Sequence, residues 1–323
     1  MGIDKPLISI LMAVYEPRMD WLREQLVSLN EQTYPNLRLY IRDDCSPAAS
    51  YEQIQSCVQE CITRFSYTIT RNEENLGSNG TFELLTKEAE GDLFAYCDQD
   101  DVWLPEKLAV LQEAMERERA VLVCSDMYII DGDGKQVADS ITKVRRHHVF
   151  RSGTDLARGL LTSNFVTGCT MLVQSDAAKR AIPFCPHMVH DHYIALCCAA
   201  EGMVYSSPER TIRYRIHGGN QTGIMSGVRD KESYLNVRIS AVEEKLRWLE
   251  KYFPYHDDLN KSIHRRLRWV HARKENWQEK GHASELWRFR DCGSQITLYE
   301  IVAARLPEKL FMRTINLARK NVI

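Results

Sequence analysis

Over its first hundred residues the chain alternates between two hydrophobic rhythms. Near-continuous apolar runs at 7–15, 37–42 and 93–97 read as buried strands, and 66–70 reads as a short β-branched strand ending at Arg71. Between them the apolar positions recur at helical spacing. In 19–32, Trp21, Leu22, Leu26 and Leu29 share one face, and further helices are predicted at about 50–64 and 79–89. Strand and helix alternating at this spacing predict a parallel sheet with helices on both faces. Segments 121–125 and 168–173 read as further strands. Asp131-Gly132-Asp133-Gly134-Lys135 reads as a hairpin turn, because the later ligands and closing Glu of a calcium loop are missing. Past Gly227 the pattern changes to charged, aromatic-studded helices without strands. The pattern therefore divides the chain into an α/β region at 1–228 and a helical region at 229–323.

Charge sharpens that division. The 323 residues carry a net charge of −2, but from Arg229 onward 20 Lys+Arg stand against 13 Asp+Glu, leaving the preceding part acidic. An overall acidic balance argues against a nucleic-acid partner. Ten cysteines without a CxxC pair, and no leader segment, point to a reducing, cytoplasmic setting; Cys57 and Cys61 read as small buried hydrophobes. No apolar stretch approaches the ~20 residues of a membrane span. The cation- and aromatic-bearing segments 263–274 and 306–320 either pack on the rest of the protein or touch the inner face of the plasma membrane.

The chemistry concentrates in Asp98, Asp100 and Asp101, directly after the strand at 93–97. Carboxylates past the end of such a strand point into the crevice where open α/β sheets bind ligands. Carboxylates this close repel one another unless a cation neutralises them, and oxygen-only ligands favour Mg²⁺ or Mn²⁺. The plainer alternative is a solvated acidic turn with Asp101 capping the next helix.

Four ordered features then carry a resemblance: Ala13-Val14-Tyr15; Asp43-Asp44-Cys45-Ser46; the loop from Asn72 to Gly80; and Cys97-Asp98-Gln99-Asp100-Asp101-Val102-Trp103. Over about residues 6–225 the chain resembles the inverting family 2 glycosyltransferases of GT-A fold. His190-Asp191-His192-Tyr193 and the run from Tyr214 to Gly223 look like that family's rhamnosyltransferase branch. The resemblance implies an α/β, GT-A-type (Rossmann-like), mostly parallel sheet flanked by helices, with a helical C-terminal extension. It implies that Asp43, the backbone of Ala13, Val14 and Tyr15, and Arg71 hold the base of a nucleotide sugar. Asn75 and Gly77 would lie against ribose and diphosphate, with Asp98 and Gln99 also at the donor. Asp100 would ligate a divalent metal, with His217 as a further metal or phosphate contact, and Asp191 would be the general base. Two positions depart from the family pattern. Glu16 stands where Asn is common, and His190 precedes Asp191 where Glu is common; the flanking His would tune the base or contact the acceptor.

The implied activity is metal-dependent, inverting transfer of a sugar, rhamnose from dTDP-rhamnose in the first place, to a hydroxyl of a glycan or lipid-linked glycan in bacterial surface polysaccharide synthesis. Two alternatives compete. Asp98-Gln99-Asp100-Asp101-Val102 also fits the motif of haloacid-dehalogenase-like phosphohydrolases, with Asp98 as nucleophile, although here about 97 residues precede it. The other is a non-catalytic nucleotide-sugar-binding protein. A nucleotidyltransferase would need a glycine-rich, basic loop where Val14-Tyr15-Glu16-Pro17 stands.

Overall fold

The computed structural model describes residues 5–145, 148–217, 227–253 and 256–320. His147 and the 218–223 part of the second downstream motif lie outside the described residues. The chain forms two compact units, residues 1–184 with 188–218, and residues 185–187 with 219–323.

The first unit is built on one nine-stranded sheet. In chain order its elements are β1 (Ile8–Val14), α1 (Met19–Asn30), β2 (Leu37–Asp43), α2 (Tyr51–Cys61), β3 (Ser66–Arg71), α3 (Gly77–Glu88), β4 (Leu93–Cys97), β5 (Val102–Trp103), α4 (Lys107–Glu118), β6 (Leu122–Ile130) and β7 (Gln136–Ala138). Then follow α5 (Ile141–Val144), α6 (Ala157–Leu160), β8 (Met171–Gln174), α7 (Ser175–Arg180), α8 (His190–Glu201) and β9 (Val204–Arg215). The order across the sheet is β3-β2-β1-β4-β8-β6-β9-β5, with β7 beside β6.

The expected parallel half is there. β3, β2, β1 and β4 all run parallel, with Val14 opposite Asp43 and Asp43 opposite Arg71. β1, β2 and β4 are almost wholly buried, as strands covered on both faces must be, while β3 lies at the sheet edge with its residues partly or fully exposed. The first turn of α2 closes on a capping box between Ser50 and Gln53. Beyond β4 the sheet turns mixed, because β8 is antiparallel to both β4 and β6, and β9 rejoins β6 in parallel. The strand expected at 168–173 starts only at Met171, since Gly168–Thr170 coils into one 3₁₀ turn. The long β9 was hidden by Pro208, Glu209 and Arg210, which interrupt any apolar run. Asp131 is the hairpin turn expected between β6 and β7. Its backbone N–H donates to Lys135 O, and its Oδ1 accepts from the N–H groups of Asp133 and Lys135. α4 is capped at Glu106, so Asp101 is not its cap.

The second unit is helical among the described residues: α9 (Lys231–Tyr234) running through a π-helical stretch (Leu235–Ser240) into α10 (Ala241–Tyr252), then α11 (Asp257–Trp277), α12 (Ala283–Arg288), α13 (Ser294–Ala303) and α14 (Glu308–Lys320). Its interior holds a buried ion pair, Arg273 to Glu300 at 2.6 and 2.7 Å, which also accepts the Tyr234 hydroxyl at 2.9 Å. No helix among the described residues is long and apolar enough to cross a membrane. All ten cysteines are free, and Cys57 and Cys61 are buried on α2 as small hydrophobes.

Candidate functional site

The carboxyl ends of β1, β2 and β4 define one crevice, and most of the residues singled out in the sequence line it. At the end of β2, Asp43 is fully buried. Its Oδ1 accepts from the Ser46 N–H at 3.2 Å and the Ser46 hydroxyl at 2.5 Å. Its Oδ2 lies 3.3 Å from Arg71 Nε as an ion pair, but has no well-aligned hydrogen-bond donor. Arg71 Nη2 also donates to Ser46 O at 2.8 Å. Aspartate and arginine therefore act as a unit, with one carboxylate oxygen still able to accept.

Asp44 turns the other way and organises the following loop. Its Oδ1 accepts from Asn72 Nδ2 at 2.7 Å and the Leu76 N–H at 2.8 Å, and Asn75 Nδ2 reaches Asp44 O at 3.2 Å. Gly77 opens α3 with φ of +70°, a conformation that costs any residue with a Cβ. No atom lies within 4 Å of where that Cβ would be, so backbone is exposed there for close approach.

At the end of β1 the backbone is already engaged within the protein. The Gln99 amide grips the Tyr15 backbone from both sides, accepting from its N–H at 2.8 Å and donating to its C=O at 2.9 Å. Val14 O accepts from the Asp44 N–H, and Ala13 sits in the ladder opposite Arg42. Tyr15 N–H is thus unavailable to a base, and Gln99 is a strut between β1 and the acidic run. Glu16, the departure from the family pattern, adopts φ of +45°. Its Oε1 accepts from the backbone of Ala48 and Ala49.

In the acidic run, Asp98 and Asp100 are half-buried and Asp101 is sealed in. Burial first, then the nearby Asp100 and Asp191, push Asp98 up to about 7. Burial likewise holds Asp101 well above the usual carboxylate range. Asp100 Oδ2 meets His217 Nε2 at 2.7 Å, and that ring lies 4.9 Å from the Trp21 ring. The structure also gathers Asp98, Asp101 and the Cys169 thiol, with ligand atoms within 4.8 Å of one another. Asp98 and Asp100 carry the carboxylate oxygens of the run that are not sealed, the donor type a hard divalent cation takes, and by donor chemistry they fit such an ion.

Asp191 lies in the first turn of α8, whose cap is Val189. Its carboxylate accepts from Asn164 Nδ2 at 3.1 Å, Gly168 N–H at 3.0 Å and His192 N–H at 2.5 Å. Burial pushes it up to about 6 against the pull of those three donors. Asp191 accepts from the N–H of Gly168, the neighbour of Cys169, whose thiol lies within 4.8 Å of the Asp98 carboxylate, so base candidate and acidic run lie close together. His190 packs into the core instead. It is buried against Phe82, with ring centroids 4.2 Å apart, and near Tyr96, and burial drives it down to about 3. A neutral imidazole packed there contacts no acceptor. Trp103 is equally buried and forms core, not a stacking platform.

Sequence reading missed three supports. Asn164 and Gly168 hold Asp191 from more than twenty residues away, with no local signal. Arg215 is fully buried at the end of β9. Its N–H donates to Asp101 Oδ1 at 2.9 Å, Nε to Asp100 O at 2.8 Å, and Nη2 to Glu24 Oε2 at 2.5 Å. An arginine and a histidine spaced two apart after a strand, Arg215 and His217, were the visible trace.

The chain is similar to several known proteins. The profile described as Glycosyl transferase family 2 matches residues 9–180. An uncharacterized glycosyltransferase of Nostoc sp. is 26% identical over 220 residues, covering 66% of each chain. A Bacillus subtilis protein named for teichuronic acid biosynthesis, the glycosyltransferase TuaG, is 31% identical over 117 residues, covering 36% of this chain and 45% of its own. The matched segments thus span less than two thirds of these relatives' lengths. The crystal structure of S. aureus TarS 1–349 in complex with UDP-GlcNAc superposes with a TM-score of 0.57 at 13% identity, covering 92% of this chain and 90% of that one.

Proposed function

The chain belongs to glycosyl transferase family 2, and on that premise we propose that it transfers a sugar from a nucleoside diphosphate donor to a glycan hydroxyl, with inversion at the anomeric carbon. One observation carries this reading: a separately held carboxylate, Asp191, hangs on the Gly168 N–H beside Cys169, whose thiol lies within 4.8 Å of the Asp98 carboxylate. Leaving-group charge and acceptor proton then have different keepers, as an inverting displacement needs.

Asp43, with Arg71, accepts from the base through its unsatisfied Oδ2. The loop from Asn75 to Gly77, fixed by Asp44, brings backbone against ribose and diphosphate. Asp98 and Asp100, with His217 beside Asp100, hold the divalent cation. When bound, that ion supplies Lewis-acid stabilisation to the charge developing on the departing diphosphate. Asp191 takes the proton of the acceptor hydroxyl as that oxygen bonds to the anomeric carbon. The bond from the anomeric carbon to the diphosphate oxygen breaks on the opposite face.

Three features support the finer reading. The structural neighbour TarS was crystallised with UDP-GlcNAc, which favours a nucleotide-sugar donor, and TuaG is named for teichuronic acid biosynthesis, which favours a polysaccharide as acceptor. The His190-to-Tyr193 and Tyr214-to-His217 segments favour rhamnose from dTDP-rhamnose. Exposed leucines among cations on α14 favour an acceptor presented at the inner face of the membrane. Family membership removes the phosphohydrolase alternative.

The test is calorimetric titration with dTDP, UDP and GDP, with Mn²⁺ and after chelation, followed by transfer assays with the matching nucleotide sugars. Metal-dependent binding of one nucleotide followed by transfer is expected. Binding without transfer to any acceptor would mark a non-catalytic binding protein. No binding would overturn the donor site.

A further inference from the structure

We infer that Lys107 is a positioning residue for the base, pinning from within the core the turn on which Asp191 rests. This builds on the reading of Asp191 as base. Lys107 opens α4, where the other inward positions, Leu108, Leu111, Gln112, Ala114 and Met115, are uncharged and, except for Gln112, apolar. It is 1% exposed. An ammonium in that place is expensive unless it is fully engaged, and methionine would fill the space without the cost.

Its engagement is specific. Nζ sits 3.7 Å from the centroid of the buried Trp103 ring and donates a hydrogen bond to the carbonyl of Cys169. Burial lowers Lys107 to about 8, while Cys169, Cys97, Asp101 and Asp98 oppose the fall. Cys169 is the middle residue of the Gly168–Thr170 turn. The preceding residue of that turn, Gly168, donates its N–H to Asp191 Oδ2 at 3.0 Å. One short turn is therefore held on its inner side by Lys107 and holds the base on its outer side. His190 completes the clamp, because a Cβ on Gly168 would lie only 2.8 Å from His190 Nε2.

The test uses Lys107→Met and Lys107→Arg in the full chain, with melting temperature, donor KM, kcat and amide hydrogen exchange of the 168–170 segment. Lys107→Met is expected to lower kcat by about 10²-fold, the order reached when a reacting group is misplaced by about an ångström. Donor KM should hold, and exchange should rise in 168–170 but not in the parallel strands. Lys107→Arg, which keeps a cationic donor, should recover part of kcat. Wild-type kcat in a folded Lys107→Met protein overturns the inference, as does a loss in which donor KM rises and melting temperature falls together. If Lys107→Met does not fold, Lys107→Gln, shorter and uncharged, takes its place with the same readouts. Lowered kcat at unchanged donor KM and melting temperature supports the role, and wild-type kcat removes it. Should the wild type transfer no sugar at all, the reading of Asp191 as base fails, while exchange in 168–170 still reports whether Lys107 pins the turn.

Discussion

At the scale of single residues, two carboxylates are held protonated further up the pH scale than usual, and each has a measurable consequence. Asp191, pushed up to about 6, is mostly ionised at neutral pH but keeps enough basicity to accept a proton. Turnover should rise with pH through 6 and level off above it. Asp191→Asn should flatten that limb and lower kcat by roughly 10²–10⁴-fold. Calorimetric nucleotide affinity should hold, because the amide oxygen can still accept from Asn164 or Gly168. Asp98, pushed up to about 7, acts on stability. Below pH ~4 both folded and unfolded chains hold the proton, so the group contributes equally to each. Between ~4 and 7 the unfolded chain releases it while the folded one keeps it, so stability must fall as pH rises through that window. Melting temperature should decline across it in the metal-free protein. The decline should shrink in Asp98→Asn, and Mn²⁺ should reverse it in the wild type. A metal-free profile identical in wild type and Asp98→Asn would refute the charge crowding.

At the scale of elements, the site depends on one glycine that no local signal marked. Gly168→Ala has no room for its Cβ beside the His190 ring, which Phe82 backs at 4.2 Å. Either the ring or the turn must move, and the turn carries the N–H that holds Asp191. The variant should bind donor and Mn²⁺ like wild type in calorimetry but transfer sugar far more slowly. A wild-type rate would mean that the turn is not critical to the base. This explains what was legible. Asp43, Asp98, Asp100 and Asp191 were visible because they follow apolar strands or open a helix, within a β-α-β rhythm of short range. Asn164, Gly168, Lys107 and Arg215 were not, because each acts across the mixed half of the sheet. There β8 runs antiparallel between β4 and β6, and β9 carries a proline and charges. Pairings between strands so distant in sequence leave no periodic trace along the chain. Gln99 and Glu16 were legible as residues but not as roles, since neither strut shows until β1, β2 and β4 are side by side.

At the scale of the whole molecule, the excess of cations beyond Arg229 acquires a surface. In the helical unit α13 carries a single charged residue, Glu300, and that one is buried against Arg273. Its outer positions Leu298 and Val302 are 53% and 61% exposed. α14 lies alongside, with the Tyr299 and Thr314 hydroxyls 2.8 Å apart, and presents Leu310 and Leu317, the latter 62% exposed. Between these leucines, two turns apart, stands the exposed Arg313, about one turn from each, and Lys309 flanks the first. Apolar side chains framed by cations suit an interface of acyl chains beneath anionic headgroups better than bulk water. In flotation with vesicles the full chain should bind phosphatidylglycerol-rich membranes and not pure phosphatidylcholine, and added salt should weaken binding by screening the cations. Leu310→Glu with Leu317→Glu should abolish binding while leaving nucleotide affinity and transfer to a soluble acceptor intact, because neither leucine belongs to the sheet unit that carries the acidic run. Arg313→Ala should weaken binding only in part, since one juxtamembrane cation is worth ~1 kcal/mol. Equal flotation of the wild type and the double glutamate variant would show that this face does not contact lipid.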